Sequence, residues 1–149
     1  MKNDKEIGDV YKEFRDTLLP TFNMVQDTEK QLLNQTNLLN KKKNYKRLRD
    51  LYDGYRQVVY KSWKLIYSDN NEFDNTIDNI NQLVNGETMY GETKVAILVE
   101  QFFLSLYYSI ISVMAYYEGV TKNKEVMNKI RYLSIKRMED LMPEIEGII

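Results

Sequence analysis

The chain has 149 residues, enough for one domain with a sizeable core. With 43% hydrophobic and 29% charged residues and a net charge of −1, it has the composition of a folded globular protein and not of a disordered one. Neither Cys nor His occurs, which excludes disulfides, thiol chemistry, Ser-His-Asp and Cys-His nucleophiles and the usual zinc sites.

Residues 4–19 place Ile7, Val10, Tyr11, Phe14 and Leu18 at helical spacing, with Asp4 as a cap. Pro20 then either opens a new helix or kinks a continuous one. Beyond it a sparser stripe of Phe22, Val25, Leu32, Leu33 and Leu39 runs to about Asn40. A second strong helix covers 43–67. Its stripe is Tyr45, Leu48, Tyr52, Tyr55, Val59, Ser62, Trp63 and Ile66, widened by Leu51, Val58 and Leu65.

From Ser68 the chain turns polar. Phe73, Ile77, Ile80 and Val84 predict a short helix ended by Asn85-Gly86. Residues 85–92 read as a loop, and Thr88 or Thr93 is placed to cap the next helix. This next helix is the most apolar run of the chain, about 94–118, in which Glu100 is the one charge from Val95 to Tyr117. A bilayer span takes about 20 apolar residues. Here Glu100 interrupts the longer count, and Tyr107 and Tyr108 lie mid-run, away from where interfacial aromatics belong. A buried core helix is therefore expected and a membrane span is not. Ser105, Ser109 and Ser112 form one small-residue stripe suited to a close helix crossing, their hydroxyls bonded back to their own helix. Thr121 is the expected cap of a last amphipathic helix carrying Val126, Met127, Ile130, Leu133, Met138 and Leu141, ended by Pro143.

No strand-like alternation, repeat or linker divides the chain. The expected fold is all-α: a single-domain helical bundle, 1–149, of four to five substantial helices around the buried helix at about 94–118.

Charge is strongly segregated. Residues 41–64 hold nine bases against Asp50 and Asp53, residues 122–137 hold six against Glu125, and residues 69–92 hold six acids and no base. The Lys41-Lys42-Lys43 run at a helix start opposes the helix dipole, so it costs local stability and has a claim to function. The contacts for nucleic acid or an acidic partner are then Lys41, Lys42, Lys43, Lys46, Arg47, Arg49, Lys122, Lys124, Lys129 and Arg131. If the helices bearing them pack side by side, the two faces merge into one patch. Asp69 to Asp74 resembles a calcium loop only in part: Phe73 and Asp74 stand where a ligand and the obligatory Gly belong, so no metal is expected.

Acid–base residues are present, but no inward-facing pair of them is spaced for catalysis, and Glu100 has no obvious partner. A non-enzymatic protein without a cofactor is expected. The first reading is protein–protein interaction, as a homodimer that uses spare apolar surface of the core helix. The abundance of Asn, Lys, Ile and Tyr suggests a phage or mobile-element accessory or inhibitor protein, and the charged, amphipathic N-terminus suggests the cytoplasm. The second reading is a nucleic-acid-binding subunit that uses the basic faces at 41–64 and 122–137.

Overall fold

A computed structural model describes residues 2–35, 40–67, 90–119 and 123–149. The expected helix at 73–84, the calcium-like stretch and Thr121 fall outside these. Among the described residues the protein is an all-α bundle of four long helical runs without strands.

The first run joins α1 (Asp4–Glu13), a π-helical turn (Phe14–Leu18) and α2 (Leu19–Gln35). Asn3, not Asp4, is the cap. Its side chain accepts from the Glu6 amide at 2.9 Å and Glu6 reciprocates to the Asn3 amide, a capping box. Pro20 stands in the first turn of α2, directly after the π-helical turn, and the helical run continues through it. It lacks an N–H, and its ring crowds the carbonyl of Asp16. The π turn lies just before it, where the helical hydrogen-bond ladder must accommodate the missing N–H. Two side chains satisfy carbonyls there: the Thr17 hydroxyl donates to the Glu13 carbonyl at 2.6 Å, and Tyr55 donates to the Leu18 carbonyl at 3.0 Å.

The second run is α3 (Lys41–Ile66), which starts two residues before the expected boundary and has no side-chain cap bond and no acid in its first turn. The third, α4 (Lys94–Tyr117), is capped by Thr93, which accepts from the Ala96 amide at 3.1 Å. The fourth, α5 (Lys124–Glu146), is capped by Asn123. Pro143 does not end it. The N–H it lacks would have bonded to the carbonyl of exposed Glu139, and the helix continues one more turn to Glu146.

Cross-helix contacts fix the directions. Asp4 bonds Thr93, Phe14 meets Phe103, and Glu29 meets Tyr117, so the first run is parallel to α4. Arg49 reaches Glu118 while Tyr67 reaches the Ala96 carbonyl, so α3 is antiparallel to α4. α5 follows α4 and returns along it, with Arg137 donating to Gln101 at 2.8 Å. The starts of α3 and α5 therefore lie at the end of the bundle where α4 finishes.

α4 is the centre. Its neighbours α1, α3 and α5 bury 20 of its 24 residues, Phe102, Phe103, Leu106 and Ile110 completely. Each large side chain so buried contributes about 1.5–3 kcal/mol. By length and composition α4 is long and apolar enough to cross a membrane, but 89% of its most apolar window is buried inside the protein. The serine stripe is buried too, with Ser105 bonded to the Gln101 carbonyl, Ser109 to that of Leu106 and Ser112 to that of Ser109.

Candidate functional site

Two polar features stand out, and they meet at one side chain. The first is a buried network to which every helical run contributes. Glu29 of α2 is 4% exposed. It lies four residues after Val25, on the same inward stripe as Phe22 and Val25. Arg131 of α5 grips it through both guanidinium nitrogens, at 2.6 and 3.2 Å. Tyr52 of α3 donates to it at 2.7 Å, and Tyr117 of α4 also donates to it. Arg131 further donates to the Tyr52 hydroxyl at 2.9 Å and lies over that ring. Burial pushes the Glu29 carboxyl up, but Arg131 and the two tyrosine hydroxyls outweigh it and hold the group below the ordinary carboxylate range. The same burial drives the hydroxyls of Tyr52 and Tyr117 far up, so both stay protonated as donors.

The second feature is a groove of about 730 Å³ at the bundle end, between the start of α3 and the finish of α4. Lys41, Lys42, Tyr45, Lys46, Arg49 and Asp50 line one wall; Tyr116, Tyr117, Glu118 and Gly119 line the other. The helical repeat explains the first set, since 42, 45, 46 and 49 fall on one stripe of α3. The Lys41 ammonium sits 5.5 Å from the Tyr45 ring centre. Tyr45 packs on Tyr116 and Tyr117 at 5.9 and 5.1 Å between ring centres. The hydroxyls of Tyr45 and Tyr116 are 3.5 Å apart. Burial raises Tyr45 to about 12. Arg49 is held by Glu118 at 2.5 Å and by Asp50 at 3.1 Å. Tyr117 belongs to both features: its ring lines the groove and its hydroxyl enters the Glu29 network.

The expected contact residues therefore divide. Lys41, Lys42, Lys46 and Arg49 come together in the groove. Lys43 and Arg47 are exposed on α3 outside its lining, and Lys124 and Lys129 are exposed on α5. Lys122 lies outside the described residues. Arg131 does not join a surface patch: its guanidinium turns inward to Glu29, and its side chain is 19% exposed. α3 and α5 do not pack along each other. They reach one another through Tyr52 and Arg131, so their basic faces share an end of the bundle and not a continuous side.

Glu100 corrects a second expectation. It is fully buried and accepts from the amides of Tyr90 and Gly91 at 3.1 and 3.0 Å, tying the incoming segment to α4. Glu29 is a second buried acid on an apolar stripe. Among the described residues no group of acids is arranged to hold a metal ion. No family matches the chain, and no curated protein or solved structure is significantly similar to it.

Proposed function

We propose that this protein is a non-enzymatic binding protein that engages an acidic macromolecule at the basic end of the bundle, and that nucleic acid is that partner. One observation carries the reading: three lysines and an arginine line a single groove together with tyrosine rings, at a helix start with no acid in its first turn. A polyanion-binding surface needs cations to neutralise phosphates and aromatic faces to meet bases. Lys43, Arg47 and Lys124 extend the positive field around that end. A cytoplasmic accessory or inhibitor protein of a phage or mobile element is a setting that the composition fits.

Protein–protein interaction stands second. Its argument for a homodimer was spare apolar surface on α4, and α4 spends that surface inside its own bundle. Among the described residues, exposed large apolar side chains remain at Met24 and Leu65 singly and on α5 at Val126, Tyr132 and Leu133. What favours a protein partner is Arg49, whose bonds to Glu118 and Asp50 show that carboxylates suit this wall.

Fluorescence anisotropy with a labelled single-stranded oligonucleotide, across a salt series, tests the proposal. Affinity should fall linearly on logarithmic axes, with a slope of roughly −0.7 per phosphate neutralised. Lys42→Glu with Lys46→Glu should abolish binding. No binding at low salt, or binding indifferent to salt, would overturn it and turn the search to acidic protein partners.

A further inference from the structure

Resting on that reading, we infer that the groove between α3 and α4 is a site for a nucleoside phosphate, met as a free nucleotide or as an unpaired nucleotide in a single strand. Its volume of about 730 Å³ is within the range of about 300–1,000 Å³ common to small-ligand sites. Its lining offers two chemistries side by side. Among the described residues Lys41, Lys42 and Lys46 make no ion pair, and Lys41 lies 5.5 Å from the Tyr45 ring centre, so three ammonium groups are available to a phosphate. Asp50 and Glu118 also line the groove, but both are engaged by Arg49, and the balance of the lining stays positive.

Next to these cations lie Tyr45, Tyr116 and Tyr117. Tyr117 is 7% exposed and pinned from below by its bond to Glu29. Tyr45 is held against both other rings. The platform is ordered before any ligand arrives, which lowers the entropic cost of binding. An acidic peptide would use the lysines and leave the rings without a role. A duplex would offer phosphates but keep its bases stacked and paired, out of reach of a recess between two helices. A nucleoside phosphate uses both parts, the phosphate exchanging places with the Tyr45 ring as the neighbour of Lys41.

The test is anisotropy with a labelled single strand and with the matching duplex, on the whole protein and on Tyr45→Leu and Lys46→Ala, with adenosine monophosphate as competitor. Circular dichroism checks that each variant is folded, and Lys46, exposed and without an ion pair among the described residues, provides a variant whose folding is not at stake. Tyr45→Leu should weaken the single strand about tenfold, the scale of one lost base–aromatic stack, and leave the duplex within about twofold. Lys46→Ala should weaken the single strand severalfold. Competition by the monophosphate assigns the site to free nucleotide. Single-strand binding that the monophosphate does not displace assigns it to the strand. Single strand and duplex bound alike, with Tyr45→Leu and Lys46→Ala both neutral, would overturn the inference while leaving a polyanion-binding surface intact. Binding of neither nucleic acid would overturn both readings.

Discussion

Glu29 is a carboxylate in the middle of four helices, and its ion pair with Arg131 is buried. Removing one partner of a buried pair leaves the other charge uncompensated, a loss of about 3–5 kcal/mol. Glu29→Gln leaves Arg131 in that position and should cost about 3 kcal/mol in denaturant-induced unfolding. Replacing both, Glu29→Leu with Arg131→Met, should recover most of it, because no orphaned charge remains. The pH dependence has a definite sign. The carboxyl is held below its ordinary value of 4.5, so its contribution is complete above that value and drains away as pH falls through it toward the folded-state pKa. Chemical denaturation at neutral pH and again below pH 4 should show stability falling in the parent and falling less in Glu29→Gln. An equal fall in both would assign acid lability to other carboxylates. Gly91 is a second single-residue constraint. A Cβ there would stand 2.8 Å from the backbone of Ala96 and Ile97, where nothing can yield cheaply. Gly91→Ala should cost more than about 1 kcal/mol and should loosen the segment that Glu100 holds, visible as faster amide exchange at Tyr90 and Gly91.

At the level of elements, periodicity located the helices because burial follows period. The stripes through Ile7, Tyr11 and Phe14, and through Leu48, Tyr52, Tyr55, Val59, Trp63 and Ile66, are buried as the spacing predicts. It failed where two adjacent registers were both apolar. On α5 the inward line is Met127, Ser134, Met138, Leu141 and Ile145, while Val126 and Leu133 are 45% and 41% exposed. A buried serine carries little hydrophobic signal, so the sequence favoured the neighbouring leucine. Leu65, expected to widen the α3 stripe, is 60% exposed for the same reason. The Glu29 network was harder to read, since Arg131 is 102 residues away and looked like one more surface cation. A sign was present: an acid at the i+4 position of an apolar stripe needs a buried partner. The groove was half legible, its lysines from charge clustering. Its opposite wall needed the antiparallel pairing of α3 with α4. That wall also bears on the cost of the lysines. An N-terminal turn favours acids by about 0.3–1 kcal/mol each, so Lys42→Glu with Lys43→Glu should raise the thermal midpoint while weakening nucleic-acid binding. A fall in the midpoint would mean that these lysines stabilise the fold and have no need of a ligand to explain them.

For the molecule as a whole, antiparallel packing gives a nearly neutral chain a basic end. The starts of α3 and α5 gather their cations where α4 ends. Tyr67 and Tyr90 sit at the opposite end, Tyr67 beside the Trp63 ring and bonded to the Ala96 carbonyl. On the proposed reading, such a gathering of cations would orient an incoming polyanion before contact and accelerate its association. Tyr117 then links this surface to the interior, since the residue lining the groove also bonds the carboxylate that ties the four runs together. A ligand that settles on Tyr117 therefore binds the assembled bundle and has no equivalent site on the unfolded chain. By mass action it should stabilise the fold by about 2.7 kcal/mol at a hundred times its Kd. For a chain of this size that is a rise of roughly 5–11 °C in Tm. Thermal unfolding followed by circular dichroism, with and without saturating single-stranded oligonucleotide, measures it. One transition, displaced upward as a unit and less so in 0.5 M salt, is the expected outcome. Tyr117→Phe, which keeps the ring and removes the bond to Glu29, should lower the ligand-free midpoint and retain most of the shift. An unchanged midpoint with ligand bound would mean that the contact lies on a part of the surface that unfolding does not alter, and would detach binding from the groove.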